Sequence, residues 1–185
     1  MNLPNKITLF RVILIPVFLV VLYLDCIPGN KWIALGIFIV ASLSDMVDGK
    51  LARKYGMVTD FGKFADPLAD KLLVCSALIA LIEFERIPAW VVIVIIAREF
   101  IISGFRLVAA DNGKVIAAGW WGKVKTFVTM VMICVVIGNL GEDIPSAKDA
   151  IHICEQVLIY LSLFLTVMSL IDYLVKNKDV IKTYK

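Results

Sequence analysis

The sequence has 185 residues and a net charge of +3, and 61% of its residues are apolar. Soluble domains are nearer half apolar. The mean hydropathy is +0.90, and the core of a water-soluble domain of this size could not bury so many apolar side chains. The composition therefore predicts a protein that uses the lipid bilayer as part of its solvent. The small net charge argues against a nucleic-acid partner. Four cysteines without a CxxC pair and a single histidine argue against a zinc site.

Six stretches are long and apolar enough to cross a bilayer, which takes about 20 residues in a helix. The breaks between them are rich in Gly, Pro, Asn and Asp, as turns are. The sequence therefore predicts an all-α polytopic membrane protein with six transmembrane helices in one membrane domain, 1–185. The predicted spans are roughly 7–24, 32–52, 66–82, 88–110, 120–141 and 151–175.

Lysine and arginine are distributed unevenly around these spans. With a cytoplasmic N-terminus, the outer loops hold Lys31, Arg86 and Lys148, whereas fourteen of the 19 basic residues fall on the inner side. An excess of Lys and Arg marks the cytoplasmic side of a membrane protein. Both termini are therefore expected in the cytoplasm, with the chain in the cell membrane.

Three polar residues, Asn5, Thr8 and Arg11, stand at the cytoplasmic start of the first predicted span. Their spacing of three residues places them on one side of a helix. We interpret them as anchors at the membrane surface. The alternative is that they line the head-group side of the span.

Four acids occupy the second and third predicted spans: Asp45 and Asp48, then Asp66 and Asp70. An ionisable residue near the bilayer centre costs about 2.5–3.5 kcal/mol by insertion scales. Members of each pair share a helical face at these spacings. Counted from the start of the second span, the acids lie near the cytoplasmic boundary, where a lipid head group and a water-soluble substrate can meet.

These acids predict a divalent metal site facing the cytoplasm. Oxygen ligands without His or Cys favour Mg²⁺, Mn²⁺ or Ca²⁺ over zinc, and two ions about 3.5–4 Å apart can clamp both oxygens of a displacement at phosphorus. The expected cofactor is Mg²⁺ or Mn²⁺, as two ions. A short loop with Gly56 and Gly62 is predicted to join the two helices. By itself, Asp66 before Pro67 would indicate only a helix N-cap.

The acids belong to a longer pattern, Asp45-x-x-Asp48-Gly49-x-x-Ala52-Arg53, eight residues, Gly62-x-x-x-Asp66-x-x-x-Asp70. At all eight fixed positions it resembles the CDP-alcohol phosphatidyltransferase family. The resemblance implies CDP-diacylglycerol as the donor, and homodimers are common in the family. It also implies metal ligands at Asp45, Asp48, Asp66 and Asp70, with Asp70 as the catalytic base, and a nucleotide pocket at Gly49, Ala52, Arg53 and Gly62.

Three further stretches, 5–16, 97–106 and 122–126, resemble the family members that use sn-glycerol 3-phosphate as the acceptor. The expected products are phosphatidylglycerophosphate and CMP, in phospholipid biosynthesis. An acceptor with a phosphate needs cations around it, and the candidates are Arg98, Arg106 and Lys123. Two alternatives stay open: Arg106 and Lys123 as positive-inside anchors, and Arg98 with Glu99 as a structural ion pair.

Three competing functions remain from the sequence. The same chemistry on another alcohol, such as inositol phosphate, serine or a phospholipid, is the first. The second is a membrane prenyltransferase, which also holds Mg-diphosphate with acids but normally has more spans. The third is a divalent-cation transporter, which would need polar groups on both sides of the bilayer midplane; the outer halves of the predicted spans are almost purely apolar.

Overall fold

The computed structural model describes residues 3–24, 26–55, 60–111 and 119–177, and their side chains except those of 3–7, 45–55, 60–67, 70, 111 and 142. Within these ranges every regular element is a helix, which confirms the predicted all-α class. The helices are α1 (Leu3–Tyr23), α2 (Asn30–Tyr55), α3 (Asp60–Glu83), α4 (Ala89–Asp111), α5 (Trp120–Gly138), α6 (Leu140–Asp143), a 3₁₀ turn (Pro145–Ala147) and α7 (Lys148–Lys176).

The helices form two compact units, Met1–Phe84 with Ile133–Asn139 and Glu85–Met132 with Leu140–Lys185. We call them the first and second units. In the first unit α1 packs against α2 and α3. The buried side of α1 repeats every three or four residues, as one helical face does, and comprises Thr8, Arg11, Ile15, Phe18 and Leu22.

Small residues of α2 allow the two helices of this pair to approach closely. Ala34 and Ala41 are fully buried there, and the ring of Phe38 lies 5.8 Å from that of Phe18. Such small-residue contacts are typical of helices that pack within membranes. At the other end of α1, the Tyr23 hydroxyl donates to the Glu83 carboxylate at 2.8 Å, which ties α1 to the end of α3.

Among the described side chains, the second unit has more buried polar residues than the first. The hydroxyls of Thr129 and Ser162 lie 2.7 Å apart between α5 and α7. Near the start of α4, Nη2 of Arg86 donates to both carboxylate oxygens of Glu155, at 2.8 and 2.9 Å. Glu155 is buried on α7, so this ion pair joins α7 to the segment that precedes α4.

Two segments, Trp120–Gly138 and Pro145–Lys176, are long and apolar enough to cross a membrane by length and composition. The predictions of six spans and of cytoplasmic termini stay predictions. One local prediction is wrong: α3 begins at Asp60, so Gly62 lies in its first turn and not in a loop. Asp66 is likewise inside the helix, because the chain is already helical six residues before it, and the N-cap interpretation fails.

Candidate functional site

The four predicted metal ligands fall on two neighbouring helices of the first unit. Asp45 and Asp48 lie ten and seven residues before the end of α2 at Tyr55, and Asp66 and Asp70 lie six and ten residues after the start of α3 at Asp60. At 1.5 Å per residue, both pairs are about 10–15 Å from the helix ends that the connection 56–59 joins. The two pairs therefore stand at matching distances along α2 and α3.

The side chains of these acids, and of the predicted nucleotide-pocket residues Gly49, Ala52, Arg53 and Gly62, lie outside the described ones. The helices that carry these residues, α2 and α3, pack against each other in the first unit. The donor set is carboxylate throughout, which fits Mg²⁺ or Mn²⁺ and not a soft metal. The positions of these residues as a metal and nucleotide site remain a prediction.

Arg11 approaches α2 immediately before the first aspartate. Its Nε–H is shared between the carbonyl oxygen of Ala41, at 3.3 Å, and the Oγ of Ser44, at 3.4 Å. Arg11 has 0% of its surface exposed and Thr8 has 1%. The interpretation of these two residues as anchors at the membrane surface is therefore wrong, because both face the interior of the helix packing.

A cluster of charged side chains joins α4 and α5 in the second unit. The carboxylate of Glu99 accepts from Nη1 of Arg98 at 2.9 Å and from Nζ of Lys125 at 2.5 Å. Nε of Arg98 donates to the hydroxyl of Ser169 at 3.2 Å, which brings in α7. The predicted ion pair between Arg98 and Glu99 is confirmed, and Lys125 contacts the same carboxylate.

Lys125 was missed as a candidate in favour of Lys123. The structure buries Lys125, with 2% of its surface exposed, and leaves Lys123 exposed. Two residues apart, these lysines point to sides of α5 that differ by about 200°. Their spacing could have shown that only one of them faces inward, but not which one.

The start of α5 lies against this cluster. A Cβ built on Gly122 would be 3.5 Å from Nη2 of Arg98, so the residue directly before Lys123 adjoins the guanidinium. Arg98 itself is 8% exposed. Two of the three predicted acceptor-binding residues, Arg98 and Lys123, are thereby brought to one end of α5.

Arg106 lies about two turns after Arg98 on α4 and contacts Tyr173 of α7. Its guanidinium carbon is 5.7 Å from the centre of the Tyr173 ring, and the ring of Phe105 meets the same tyrosine edge-on at 5.6 Å. Tyr173 is 6% exposed, and its buried hydroxyl has no hydrogen-bond partner among the side chains and backbone that the structure describes. A buried donor without a partner is costly, and a ligand oxygen would satisfy it. No sequence pattern marks Tyr173, which lies in the last apolar stretch.

Residues 1–168 match the model of the CDP-alcohol phosphatidyltransferase family. The chain belongs to this family. The match includes every residue of the aspartate pattern and all of α1 to α5, so the predicted family is confirmed over most of the chain.

Relatives within the family are similar over nearly their whole length. The CDP-diacylglycerol–glycerol-3-phosphate 3-phosphatidyltransferase of Bacillus subtilis is 43% identical, with 98% of each chain covered. The Haemophilus influenzae protein of the same name is 39% identical over 94% of this chain and 91% of its own. A probable phosphatidylglycerophosphate synthase of Mycobacterium tuberculosis is 38% identical over 95% of this chain and 81% of its own.

Proposed function

We propose that this chain transfers the phosphatidyl group of CDP-diacylglycerol to sn-glycerol 3-phosphate, giving phosphatidylglycerophosphate and CMP. The observation that carries the proposal is the full-length similarity to relatives named for this reaction, at 43% and 39% identity. The aspartate pattern lies inside the matched region. The activity belongs to phospholipid biosynthesis.

The reaction takes place at a membrane, because the donor is a lipid. Each of the six predicted spans overlaps one of the helices α1 to α5 and α7, and two segments satisfy the length and hydropathy expected of a span. We propose six spans in the cell membrane with the site facing the cytoplasm, since lysine and arginine accumulate on that side. A homodimer is part of the same proposal and follows from the family resemblance.

Asp45, Asp48, Asp66 and Asp70 are the residues proposed to hold the metal. When bound there, two divalent ions would neutralise the negative charge that develops on the diphosphate. Gly49, Ala52, Arg53 and Gly62 are proposed to form the nucleotide pocket. Small residues leave room for the cytidine, and Arg53 can pair with a phosphate oxygen.

Asp70 is proposed as the general base. It accepts the proton of the 1-hydroxyl of glycerol 3-phosphate while that oxygen forms a bond to the phosphorus carrying the diacylglycerol. The bond from this phosphorus to the CMP oxygen breaks, and CMP leaves with the electron pair. A carboxylate is a weak base for an alcohol, so proton transfer accompanies the attack, and positioning carries much of the rate enhancement.

The acceptor phosphate is proposed to bind at the inner ends of α4 and α5. Arg98 and Lys125 both contact Glu99 there. Arg106 is exposed beside Tyr173, whose hydroxyl has no hydrogen-bond partner among the described residues, and Lys123 is exposed at the start of α5. Because Arg98 already donates to Glu99 and Ser169, Arg106 and Lys123 are the main direct contacts. Arg98 is proposed to contribute positive charge near the phosphate without a direct hydrogen bond to it.

The test is a turnover assay of the purified protein in detergent with CDP-diacylglycerol and Mg²⁺. Glycerol 3-phosphate, inositol phosphate and serine are offered in parallel, and CMP release is followed. Release with glycerol 3-phosphate alone is expected. Release with another alcohol would keep the mechanism and replace the acceptor, and no release from folded protein would favour the transporter or prenyltransferase function instead.

A further inference from the structure

Arg11 is a charged side chain without any exposed surface, at the point where α1 crosses α2. Its neighbours in the same row of α1, Ile15 and Phe18, are apolar core residues. A buried guanidinium is costly unless it is paired and hydrogen-bonded. An apolar residue at this position would continue the packing of α1 at less cost, so the guanidinium has a role beyond filling space.

The described acceptors of Arg11 both belong to a single turn of α2. Its Nε–H is shared between the Ala41 carbonyl and the Ser44 hydroxyl. The same hydroxyl donates back to the Ala41 carbonyl at 2.7 Å. Arg11, Ala41 and Ser44 are therefore joined by mutual hydrogen bonds, which hold this turn of α2 against α1.

This turn leads directly into the predicted metal site. In an α-helix the carbonyl of residue i accepts from the amide of residue i+4, so the regular helical partner of the Ala41 carbonyl is the amide of Asp45. Ser44 directly precedes Asp45. The side chain of Arg11 thus donates to the carbonyl whose regular helical partner is the Asp45 amide, and to the last side chain before the aspartate pattern begins.

We propose that Arg11 is a positioning residue for the metal site: by holding Ala41 and Ser44 it fixes the turn of α2 that leads into Asp45 and Asp48. The inference rests on the proposed function, because it takes these two aspartates as metal ligands. Residues that orient metal ligands from behind typically change metal affinity by about 10- to 100-fold when they are replaced.

The test measures Mn²⁺ binding directly, without donor, acceptor or turnover. The full-length protein in detergent is titrated with Mn²⁺, and free Mn²⁺ is followed by electron paramagnetic resonance. Arg11→Met is expected to raise the Mn²⁺ dissociation constant about 10- to 100-fold. Arg11→Lys keeps the charge but loses the Nε–H, so it is expected not to restore binding. Ser44→Ala removes one neutral acceptor, and about a two- to tenfold increase is expected.

Arg86→Met is the matched control, since it removes another arginine of the same chain. It breaks the ion pair with Glu155 and is expected to lower the unfolding temperature while the Mn²⁺ dissociation constant stays at the wild-type value. A shift in Arg86→Met as large as in Arg11→Met would mean that any loss of stability weakens the metal, and the proposal would be overturned.

The remaining outcomes separate this inference from the proposed function. Wild-type protein that neither binds Mn²⁺ nor releases CMP would remove the proposed function. Wild-type protein that does both, with Arg11→Lys and Arg11→Met each binding Mn²⁺ as tightly as the wild type, would remove only the role of Arg11. If the Arg11 variants lack a cooperative unfolding transition, Ser44→Ala decides, and wild-type Mn²⁺ binding in that variant overturns the proposal. Intact Mn²⁺ binding with weakened CDP-diacylglycerol binding would instead make Arg11 a donor contact.

Discussion

Arg11 of the first unit and Arg98 of the second unit are both buried, but their hydrogen-bond partners differ. Among the described contacts, Nε of Arg11 donates to a carbonyl and a hydroxyl of α2, which are neutral. Arg98 donates to a carboxylate, Glu99, which also accepts from Lys125. The first arrangement holds the backbone turn before an acidic segment, and the second places two cations around one carboxylate.

The difference follows the distribution of the proposed functional groups. The four aspartates lie on α2 and α3 in the first unit, and the cations proposed to bind the acceptor lie on α4 and α5 in the second. Substitutions in the first unit should therefore act on metal, donor and chemistry. Substitutions in the second should act on the acceptor or on stability, and the following predictions test this division from the largest effect to the smallest.

Asp70→Asn is expected to give the largest effect. Loss of a general base typically costs about 10²- to 10⁴-fold in rate, so CMP release should fall by that factor while CDP-diacylglycerol binding is largely kept. Turnover and equilibrium binding of the donor are measured on the same preparation. Asp149→Asn, in the exposed first turn of α7, is the matched control and should turn over normally. An active Asp70→Asn enzyme would remove the assignment of the base.

The double variant Arg106→Met with Lys123→Met tests the second unit. Hydrogen bonds to charged groups contribute roughly 1.5–3 kcal/mol each, so the KM for glycerol 3-phosphate should rise by about 100-fold or more. The KM for CDP-diacylglycerol should stay constant. A control that removes the same charge, Lys31→Met with Lys148→Met, should change neither. Unaltered acceptor affinity in the first double variant would make Arg106 and Lys123 membrane anchors.

Arg86→Met should affect stability and not substrate affinity. It leaves the carboxylate of Glu155, 5% exposed, without its arginine, and breaking a buried ion pair costs about 3 kcal/mol. Thermal unfolding in detergent measures the loss. Adding Glu155→Gln should recover much of it, because the unpaired charge is removed. A double variant no more stable than Arg86→Met would show that packing by the arginine, rather than the charge, matters here.

Thr129→Val should have the smallest effect. It removes the hydroxyl that bonds Ser162 between α5 and α7, and such hydrogen bonds between membrane helices average about 0.6 kcal/mol. Thr126→Val is the control, because Thr126 is exposed and bonds only the carbonyl of Gly122 in its own helix among the described contacts. A loss of acceptor affinity in Thr129→Val would connect this hydrogen bond to the cationic cluster.

The helices themselves were predictable, because long apolar stretches separated by Gly, Pro and Asn fix where helices lie and end. The start of α3 was not, since Asp66-Pro67 has the composition of a helix start although the helix begins at Asp60. The spacing of the four aspartates was enough to match the family pattern, and their role as metal ligands stays a prediction. These parts depend on local sequence, which a single chain displays.

The environments of the charged residues were harder to predict. When a helix is apolar on all sides, its sequence has no separate apolar face that would show which side packs against neighbouring helices. The sequence therefore placed Arg11 at the membrane surface, although it is buried, and it preferred Lys123 to the buried Lys125. Tyr173 stands out because its hydroxyl lacks a hydrogen-bond partner among the described residues, which is a property of the packed structure and not of the sequence.

The most direct test of the central claim follows the phosphorus of the acceptor. Purified protein, CDP-diacylglycerol, Mg²⁺ and glycerol 3-phosphate labelled with ³³P are incubated, and the label in the lipid phase is compared with the CMP released. The account predicts one labelled lipid per CMP in the wild-type protein, neither product without Mg²⁺, and about 10²- to 10⁴-fold less of both with Asp70→Asn. CMP released without label in the lipid would mean that water, and not glycerol 3-phosphate, takes the phosphatidyl group, and would contradict the account.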